Sequence, residues 1–424
     1  MLLNLVYLIA LILLSPWLVY RAVTTGRYRE GLREKLLGSV PKREGDPNQK
    51  CFWLHAVSVG EVNLLGRLIE EIQKQLPEVR CVISTTTKTG MELARKKYGE
   101  QLTVFYCPFD FTWAVRRAIQ RIRPDVLILA ELELWPNLIR AARRQGSRVA
   151  VVNGRLSENS FRGYRRVRFL LRPVLRCIDL VAAQDESYAK RFRQLGIDTA
   201  AVHVTGSMKY DGATTDRDNP RTLELARLAG ITPEDTVFLA GSTQEPEEQA
   251  ALDAYQKLVV EYPSLRLILV PRHPERFDTV ARLLDESGME WVRRSELKKE
   301  TTPPNVRVLL VDTIGELGAW WGTARIAFVG GSFGSRGGQN MIEPAAYGAA
   351  VSFGPNTRNF RDIVSMMLAR DAAVVVADPA ELHDFVERCL KDLDYSTKLG
   401  DRARELVRSQ LGATARTVEL LAKL

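Results

Sequence analysis

Short apolar runs alternate with amphipathic segments along most of the chain. An apolar run at 51–54 precedes the amphipathic segment 64–76, and further runs in the first half are predicted as strands at 80–87, 102–110, 124–134, 147–157 and 179–185. Amphipathic segments that follow the first three of these runs are predicted as helices. Such alternation is typical of parallel strands joined by crossover helices, so we expect an α/β fold.

The alternation stops at 212–222, which is polar, holds Gly and Pro, and is predicted to be a linker. It resumes with predicted strands at 236–245, 265–273, 307–312, 325–332, 349–355 and 371–378. A chain of 424 residues is long enough for two domains. Two doubly wound domains are expected to bind a ligand at the carboxyl ends of their strands, in a cleft between the domains.

The first twenty residues carry no charge, and basic residues follow at once, among them Arg21, Arg27, Arg29, Arg33 and Lys35. Twenty helical residues span roughly 30 Å, enough to cross a bilayer core. Basic residues after the apolar run place the following chain on the cytoplasmic side. We therefore expect a single anchor at 1–22 on a cytoplasmic body. Whether this segment spans the membrane or lies in the interface stays open.

The formal net charge of +9 indicates an anionic partner, such as nucleic acid, a membrane surface or a phosphorylated substrate. An arginine-rich solvated surface is the alternative. The five cysteines contain no CxxC pair and the four histidines no HxxxH pair. These spacings favour reduced core cysteines and argue against a zinc site.

The strongest candidate motif is the glycine-rich segment 330–348. Glycines such as Gly338 let backbone amides approach an anion closely, and Asn340 and Glu343 are expected to open a helix. A carboxylate one helical turn on can accept two ribose hydroxyls. The segment therefore favours a nucleotide site over a flexible loop with a helix cap.

Other predicted strand exits of the second half carry phosphate-binding side chains. Ser242 and Thr243 are predicted at a helix N-terminus, where they could bind phosphate or simply cap the helix with Glu245. Arg272 and His273 follow the next strand and suit a phosphate or a base edge. The segment 312–317 adds a further strand exit with a glycine.

Acidic, amide and basic side chains mark the strand exits of the first half. Glu61 stands where a strand should turn into a helix, so it is either a cap or a catalytic base. The further candidates are Glu131, Glu133, Asn153, Arg155, Ser157 and Lys209.

Nine motifs in the same order, HAVSVGEVN, AELELWPN and GGSFGSRGGQNMIEP among them, resemble the 3-deoxy-D-manno-octulosonic acid (Kdo) transferases of lipopolysaccharide assembly. The resemblance covers essentially the whole chain. It implies a GT-B fold with Rossmann-like domains at 23–213 and 214–405, and a C-terminal helix at 406–424 that packs back toward the first. It also implies a CMP-Kdo donor, a lipid A precursor as acceptor, and neither cofactor nor metal.

The same resemblance implies roles for individual residues. Glu61 is expected to be the general base, and Glu131 and Lys209 to stabilise the transition state. The expected substrate and CMP contacts are Ser242, Arg272, His273, Ile314, Gly315, Glu316, Gly338, Asn340, Met341, Ile342 and Glu343. The chain departs from the family at Gln244 and Gln339, where His is common, so neither position is expected to transfer protons.

The residues alone leave two other functions open. A membrane-associated transferase of the same fold could use a UDP-sugar on a lipid acceptor. A tethered nucleic-acid-binding module would suit the charge, but it predicts basic and aromatic residues clustered on one face. The arginines are instead spread over helix exteriors, so we expect no nucleic-acid partner.

Overall fold

The computed structural model describes residues 2–25, 30–46, 48–132, 134–297 and 306–424. Arg27, Arg29 and Glu133 lie outside these described residues. The chain forms two compact units, Met1–Asp211 with Gln410–Leu424, and Gly212–Ser409. Each unit contains one parallel β-sheet with helices, so the predicted α/β fold is confirmed.

The sheet of the first unit has seven strands in the order β3-β2-β1-β4-β5-β6-β7. β1 lies between β2 and β4, so the strand order reverses at β1, and ligands of such sheets bind beside this reversal. The strands are β1 (Cys51–His55), β2 (Arg80–Thr85), β3 (Thr103–Tyr106), β4 (Val126–Ala130), β5 (Arg148–Gly154), β6 (Leu180–Ala183) and β7 (Val202–Val204).

Helices of the first unit pack on the sheet through apolar side chains. β1 and β4 are buried along their whole length, as expected of strands covered on both faces. The helices are α1 (Leu2–Thr25), α2 (Leu32–Leu37), α3 (Val59–Gln75), α4 (Lys88–Tyr98), α5 (Thr112–Ile122), α6 (Pro136–Arg144), α7 (Glu158–Arg166), α8 (Arg168–Leu175) and α9 (Glu186–Leu195).

The sheet of the second unit repeats this design, with the order β10-β11-β9-β8-β12-β13-β14 and the reversal at β8. Its strands are β8 (Thr236–Thr243), β9 (Leu265–Pro271), β10 (Trp291–Arg293), β11 (Val308–Leu310), β12 (Ile326–Val329), β13 (Ala350–Phe353) and β14 (Val374–Val375). Its helices are α10 (Pro220–Leu228), α11 (Glu247–Leu258), α12 (Phe277–Glu286), α13 (Leu317–Trp320), α14 (Ile342–Ala346), α15 (Arg361–Leu368), α16 (Pro379–Lys391) and α17 (Leu393–Gln410).

The predicted linker at 212–222 is wrong at its C-terminal end, because α10 begins at Pro220. The Asn219 side chain caps this helix by accepting the Thr222 N–H at 3.0 Å. Arg217 also fixes the segment, since its guanidinium donates to the carbonyl oxygens of Tyr347, Gly322 and Ala324, each at 2.8 Å. An Asn cap followed by Pro is a helix-start signal that the polar composition obscured.

The last helix, α18 (Ala413–Leu421), belongs to the first unit and packs against α3. Val418 and Leu421 are fully buried beside Leu65 and Leu68 of α3. Arg416 donates to the Thr205 carbonyl oxygen at 2.6 Å. The helix α18 therefore covers α3, the helix whose first turn contains Glu61.

The helix α1 covers most of the predicted anchor. Leu3, Asn4, Tyr7 and Leu11 are partly buried at helical spacing, while Leu5, Val6, Leu8 and Ile9 are exposed. The Asn4 amide nitrogen donates to the Thr112 hydroxyl at 2.6 Å. Within the described residues, no helix combines the length and apolar character needed to cross a membrane.

Candidate active site

Glu61 lies in the first turn of α3, directly after the exit of β1. Its carboxylate accepts the Val57 N–H and the Ser58 hydroxyl, both at 2.8 Å. Ser58 in turn accepts the Glu61 N–H at 3.3 Å, which makes a reciprocal cap of the helix start. Glu61 is thus a cap, and the same contacts hold its half-buried carboxylate in one position.

Burial raises the pKa of Glu61, and the negative charge of Glu131 raises it further, against the hydrogen bonds from Val57 and Ser58. A carboxylate with a raised pKa is a stronger base than an exposed one. The loop between β1 and α3 is held in place as well, because the Thr87 hydroxyl donates to the Val57 carbonyl oxygen at 3.0 Å. The geometry therefore suits proton abstraction by Glu61.

Glu131 follows β4 directly and has a left-handed backbone with φ of 56°. Its N–H still donates to the Val152 carbonyl oxygen, at 2.9 Å. Its carboxylate lies 3.4 Å from the Lys209 ammonium nitrogen. A non-glycine residue in this conformation is uncommon and is concentrated at functional sites. The structure thus brings Glu61, Glu131 and Lys209 to one edge of the first sheet.

Asn153 supports this edge from within the protein. It is fully buried at the end of β5, and its side-chain oxygen accepts the Met208 N–H at 3.1 Å. This bond ties the β5 exit to the segment that carries Lys209. Ser157 accepts the Ser160 N–H at 3.2 Å and caps α7. In this structure both side chains support the backbone at this edge.

His55 ends β1 and is a core residue. Its Nδ1 lies 2.9 Å from the Ser84 hydroxyl oxygen, and its ring packs edge-on against Trp135 with centroids 5.8 Å apart. Burial lowers the pKa of His55 to about 4. The imidazole is therefore neutral near pH 7, and its packing supports the end of β1.

Ser242 and Thr243 do not lie at a helix N-terminus, as the sequence predicted. They end strand β8, where Thr243 pairs with Pro271, and α11 begins only at Glu247. The strand runs on because its pairing with β9 continues through an irregularity after Gly241. Ser242 is buried with φ of 56°, the same left-handed backbone that Glu131 has in the first unit.

The predicted cap Glu245 is exposed, and its carboxylate lies 3.5 Å from Arg276. Glu247 instead organises this exit, and the sequence analysis missed it. Its carboxylate accepts the N–H groups of Gly331, Ser332, Phe333 and Gln244 at 2.7, 2.8, 2.9 and 2.9 Å. The side chain is 1% exposed. Burial raises the pKa of Glu247 against these four hydrogen bonds.

The glycine-rich loop after β12 is therefore tied to the β8 exit by one buried carboxylate. Gly331 and Gly338 have φ of 66° and 80°, and the Gly338 N–H donates to the Gly331 carbonyl oxygen at 2.8 Å. A side chain at Gly330 would place its Cβ 2.6 Å from Thr243 Cα, so only glycine fits there. The Gln339 side chain packs beside Gly331.

Asn340 organises the start of α14. Its side-chain oxygen accepts the Ile342 N–H at 3.1 Å, and its amide nitrogen donates to Glu343 Oε1 at 3.0 Å. Met341 and Ile342 are buried in the second unit, whereas Asn340 and Glu343 are half-buried. Of these four predicted contacts, the two polar side chains are thus the better placed for a ligand.

Arg272, after β9, and Glu316, after β11, differ in whether their charged groups already have partners within the protein. Arg272 is exposed, its N–H donates to the Thr243 carbonyl oxygen at 3.0 Å, and its guanidinium has no hydrogen bond or ion pair with any residue described. The neighbouring His273 is half-buried. Arg272 therefore has its cation available to an anionic ligand at the exit of β9.

Glu316 is bound within the protein. Arg294 donates to it at 2.9 and 3.0 Å and Arg221 at 2.6 Å. Burial would raise its pKa, but the hydrogen bonds from Thr313 and Arg294 and the two arginine charges lower it. Ile314 is 81% exposed and Gly315 has φ of 87°, so these two residues offer the freer backbone of the segment.

Metal ligands form no group of three or more His, Cys, Asp or Glu residues in the part of the chain that the structure describes.

Comparison with known proteins shows which family the chain belongs to. A family model described as 3-deoxy-D-manno-octulosonic-acid transferase matches residues 30–212. A curated 3-deoxy-D-manno-octulosonic acid transferase from Haemophilus influenzae is 34% identical over 94% of this chain and 92% of its own.

Two solved structures are also similar. UDP-GlcNAc 2-epimerase from Neisseria meningitidis is 14% identical, covers 88% of this chain and 100% of its own, and has a TM-score of 0.56. This likeness shows the fold alone. The C-terminal CMP-Kdo binding domain of WaaA from Acinetobacter baumannii is 29% identical over 44% of this chain and 97% of its own, with a TM-score of 0.41.

The two Rossmann-like sheets and the full-length similarity define an enzyme of the GT-B glycosyltransferase class. More narrowly, the chain belongs to the 3-deoxy-D-manno-octulosonic acid (Kdo) transferase family. The resemblance seen in the sequence is thereby confirmed.

Proposed function

We propose that the protein transfers Kdo from CMP-Kdo to a phosphorylated, acylated glucosamine disaccharide, the lipid A precursor, by one displacement with inversion. The observation that carries this proposal is the position of Glu61, a half-buried and doubly hydrogen-bonded carboxylate at the central strand exit of a family member.

Glu61 is the general base in this proposal. A sugar hydroxyl is a poor nucleophile near neutral pH, so a base must take its proton as its oxygen attacks the anomeric carbon of Kdo. The new C–O bond forms while the bond from Kdo to the CMP phosphate breaks, and CMP leaves with the electron pair. Val57 and Ser58 orient the Glu61 carboxylate throughout.

Glu131 and Lys209 are proposed to stabilise the transition state. Their 3.4 Å ion pair holds a lysine side chain that is 38% exposed, so the ammonium can turn toward developing negative charge without leaving its partner. The Glu131 backbone fixes the partner carboxylate in space, because its N–H is bonded to Val152.

The second unit is proposed to bind CMP-Kdo at the exits of its strands. Arg272 offers the phosphate a guanidinium that has no hydrogen bond or ion pair with any described residue. Asn340 and Glu343 can bind hydroxyl groups of the donor. Ser242, His273, Ile314, Gly315, Glu316, Met341 and Ile342 stay predicted contacts around them.

We also propose that the protein works at the cytoplasmic face of the inner membrane. Exposed apolar residues of α1 include Ile12 and Leu13, at 67% and 74% exposure. On α8, Phe169 and Leu170 are 74% and 59% exposed among arginines. Apolar side chains flanked by arginines suit a surface of anionic lipid.

The test is transfer of radiolabelled Kdo by the purified chain, with CMP and UDP as competitors. We expect labelled lipid A precursor as the product and inhibition by CMP at concentrations where UDP has no effect. Transfer from a UDP-sugar but not from CMP-Kdo would overturn the proposal and favour the other transferase considered from the sequence.

A further inference from the structure

A cavity of about 400 Å³ lies in the first unit between α1 and the loops after β3 and β4. Tyr7, Leu11 and Leu14 of α1 form one wall, and the loops contribute Phe109, Phe111 and Trp135. Cavities of roughly 300–1,000 Å³ with largely apolar walls are typical of small-molecule sites. We propose that this cavity binds one acyl chain of the lipid acceptor, an inference that rests on the proposed function.

The one charged group of the described cavity wall already has partners within the protein. Asp110 is the only charged residue among the described lining residues. Its carboxylate accepts the N–H groups of Asn137 and Leu138, at 3.0 and 2.8 Å, and the Tyr7 hydroxyl at 3.1 Å. A ligand in the cavity therefore meets mainly aliphatic and aromatic carbon.

This wall chemistry selects an acyl chain as the occupant. The backbone of α1 is helical from Leu2 to Thr25, so its N–H and C=O groups at the cavity are bonded within the helix. A peptide segment would bring unpaired backbone groups, whereas an acyl chain brings none. The apolar surface also continues outward from the cavity, since Leu14 is 54% exposed beside Leu13.

The position of the cavity links it to the candidate active site. The loop that carries Trp135 begins with Glu131 at the exit of β4, and the Trp135 ring packs against His55 at the end of β1. Carboxyl ends of parallel strands share one sheet edge. A chain bound in the cavity thus belongs to a molecule whose polar head lies near Glu61 and Glu131.

The test compares Leu11→Trp, which fills the cavity, with Leu393→Trp, the same change at a residue of α17 in the second unit that is 51% exposed. Kdo transfer is measured with the acylated precursor and with the same disaccharide bisphosphate after deacylation. Each buried methylene changes affinity by about fourfold. We expect Leu11→Trp to raise KM for the acylated acceptor at least tenfold, through loss of several such contacts.

The same variant should leave KM for CMP-Kdo and for the deacylated acceptor unchanged, and Leu393→Trp should match the wild type. Equal effects of the two variants, or equal effects on both acceptors, would overturn the acyl site. The site is also judged without transfer, by calorimetric titration with monomeric myristate. Wild type and Leu393→Trp should bind it at least tenfold more tightly than Leu11→Trp does, and equal binding by all three would overturn the site.

These readouts separate the two proposals. A wild type that binds myristate but transfers no Kdo to either acceptor would contradict the proposed function and leave the acyl site standing. Equal transfer to the acylated and the deacylated acceptor, together with no myristate binding, would contradict the acyl site alone.

Discussion

Glu61 and Glu247 occupy corresponding places in the two units, yet their surroundings differ. Each lies in the first turn of the helix that follows the central strand of its sheet. Glu61 accepts one backbone N–H and one hydroxyl and is half-buried. Glu247 accepts four backbone N–H groups and is 1% exposed.

This difference teaches how one repeated position can have two uses. A carboxylate whose oxygens are filled by buried donors is fixed as an acceptor and holds a loop in shape. A carboxylate with fewer donors and some exposure still has lone pairs to accept a proton from a substrate. We therefore propose a chemical role for Glu61, whereas Glu247 holds the glycine-rich loop after β12 in shape.

The largest effect on folding is expected from Glu247→Ala. It leaves four N–H groups without their acceptor, two of them buried and two partly buried, and each buried one costs about 1–3 kcal/mol. Thermal melting should show a much less stable protein, and titration with CMP should show weaker binding. Glu245→Ala is the control, because that side chain is 81% exposed. Equal melting temperatures for the two variants would contradict the role of Glu247 in holding the loop in shape.

Lys209→Met should lower kcat by roughly 10²-fold, the cost of losing one group that stabilises developing charge. The variant should melt like the wild type, since its ion pair with Glu131 is partly exposed and contributes little to stability. Steady-state kinetics check this, with Lys97→Met as the control for loss of a positive charge in the same unit. A rise in KM at constant kcat would make Lys209 a binding residue instead.

Glu131→Gln should shift the pH profile of Glu61. The proposed base must be ionised, so activity is lost as the pH falls through the pKa of Glu61. Burial raises that pKa and the Glu131 charge adds to it. Removing the charge, and leaving Lys209 as an unpaired cation, lowers it again. The acidic limb of kcat should therefore move to lower pH, and an unchanged or raised limb would exclude Glu61 as the titrating group.

Phe169→Glu tests the surface on which the first unit is proposed to meet lipid. Its side chain is 74% exposed beside arginines, so the change should weaken binding to vesicles containing anionic lipid, by about tenfold at most, and leave stability unaltered. Flotation with vesicles measures it. Val260→Glu, on a residue 85% exposed in the second unit, should bind as the wild type does. Equal loss in both variants would point to net charge alone.

Strand exits were predictable from the sequence because local pattern sets them. Apolar runs that end in Gly, Ser, Asn or Glu located Glu61, Glu131 and Arg272 at the carboxyl edges of their sheets. The short strands β7 and β10 were missed, because neither lies in an uninterrupted run of four or more apolar residues, as the comparably short β11 and β14 do.

Contacts between distant segments were not predictable. Glu247 binds N–H groups 84 to 86 residues away, and no local spacing reports such a bond. Asp110 likewise caps α6 from a loop 27 residues earlier. The shift of the α11 start from Ser242 to Glu247 has the same origin, because continued pairing with β9 overrides the local helix signal.

The central claim is that Glu61 takes the proton of the acceptor hydroxyl, and single-turnover Kdo transfer by Glu61→Gln tests it most directly. The amide keeps the shape of the side chain but cannot act as a base. We predict a chemical step slowed by about 10²–10⁴-fold, with melting temperature and CMP affinity close to those of the wild type. A step within about tenfold of the wild type would contradict the claim, leave Glu61 as a cap only, and make Glu131 the next candidate.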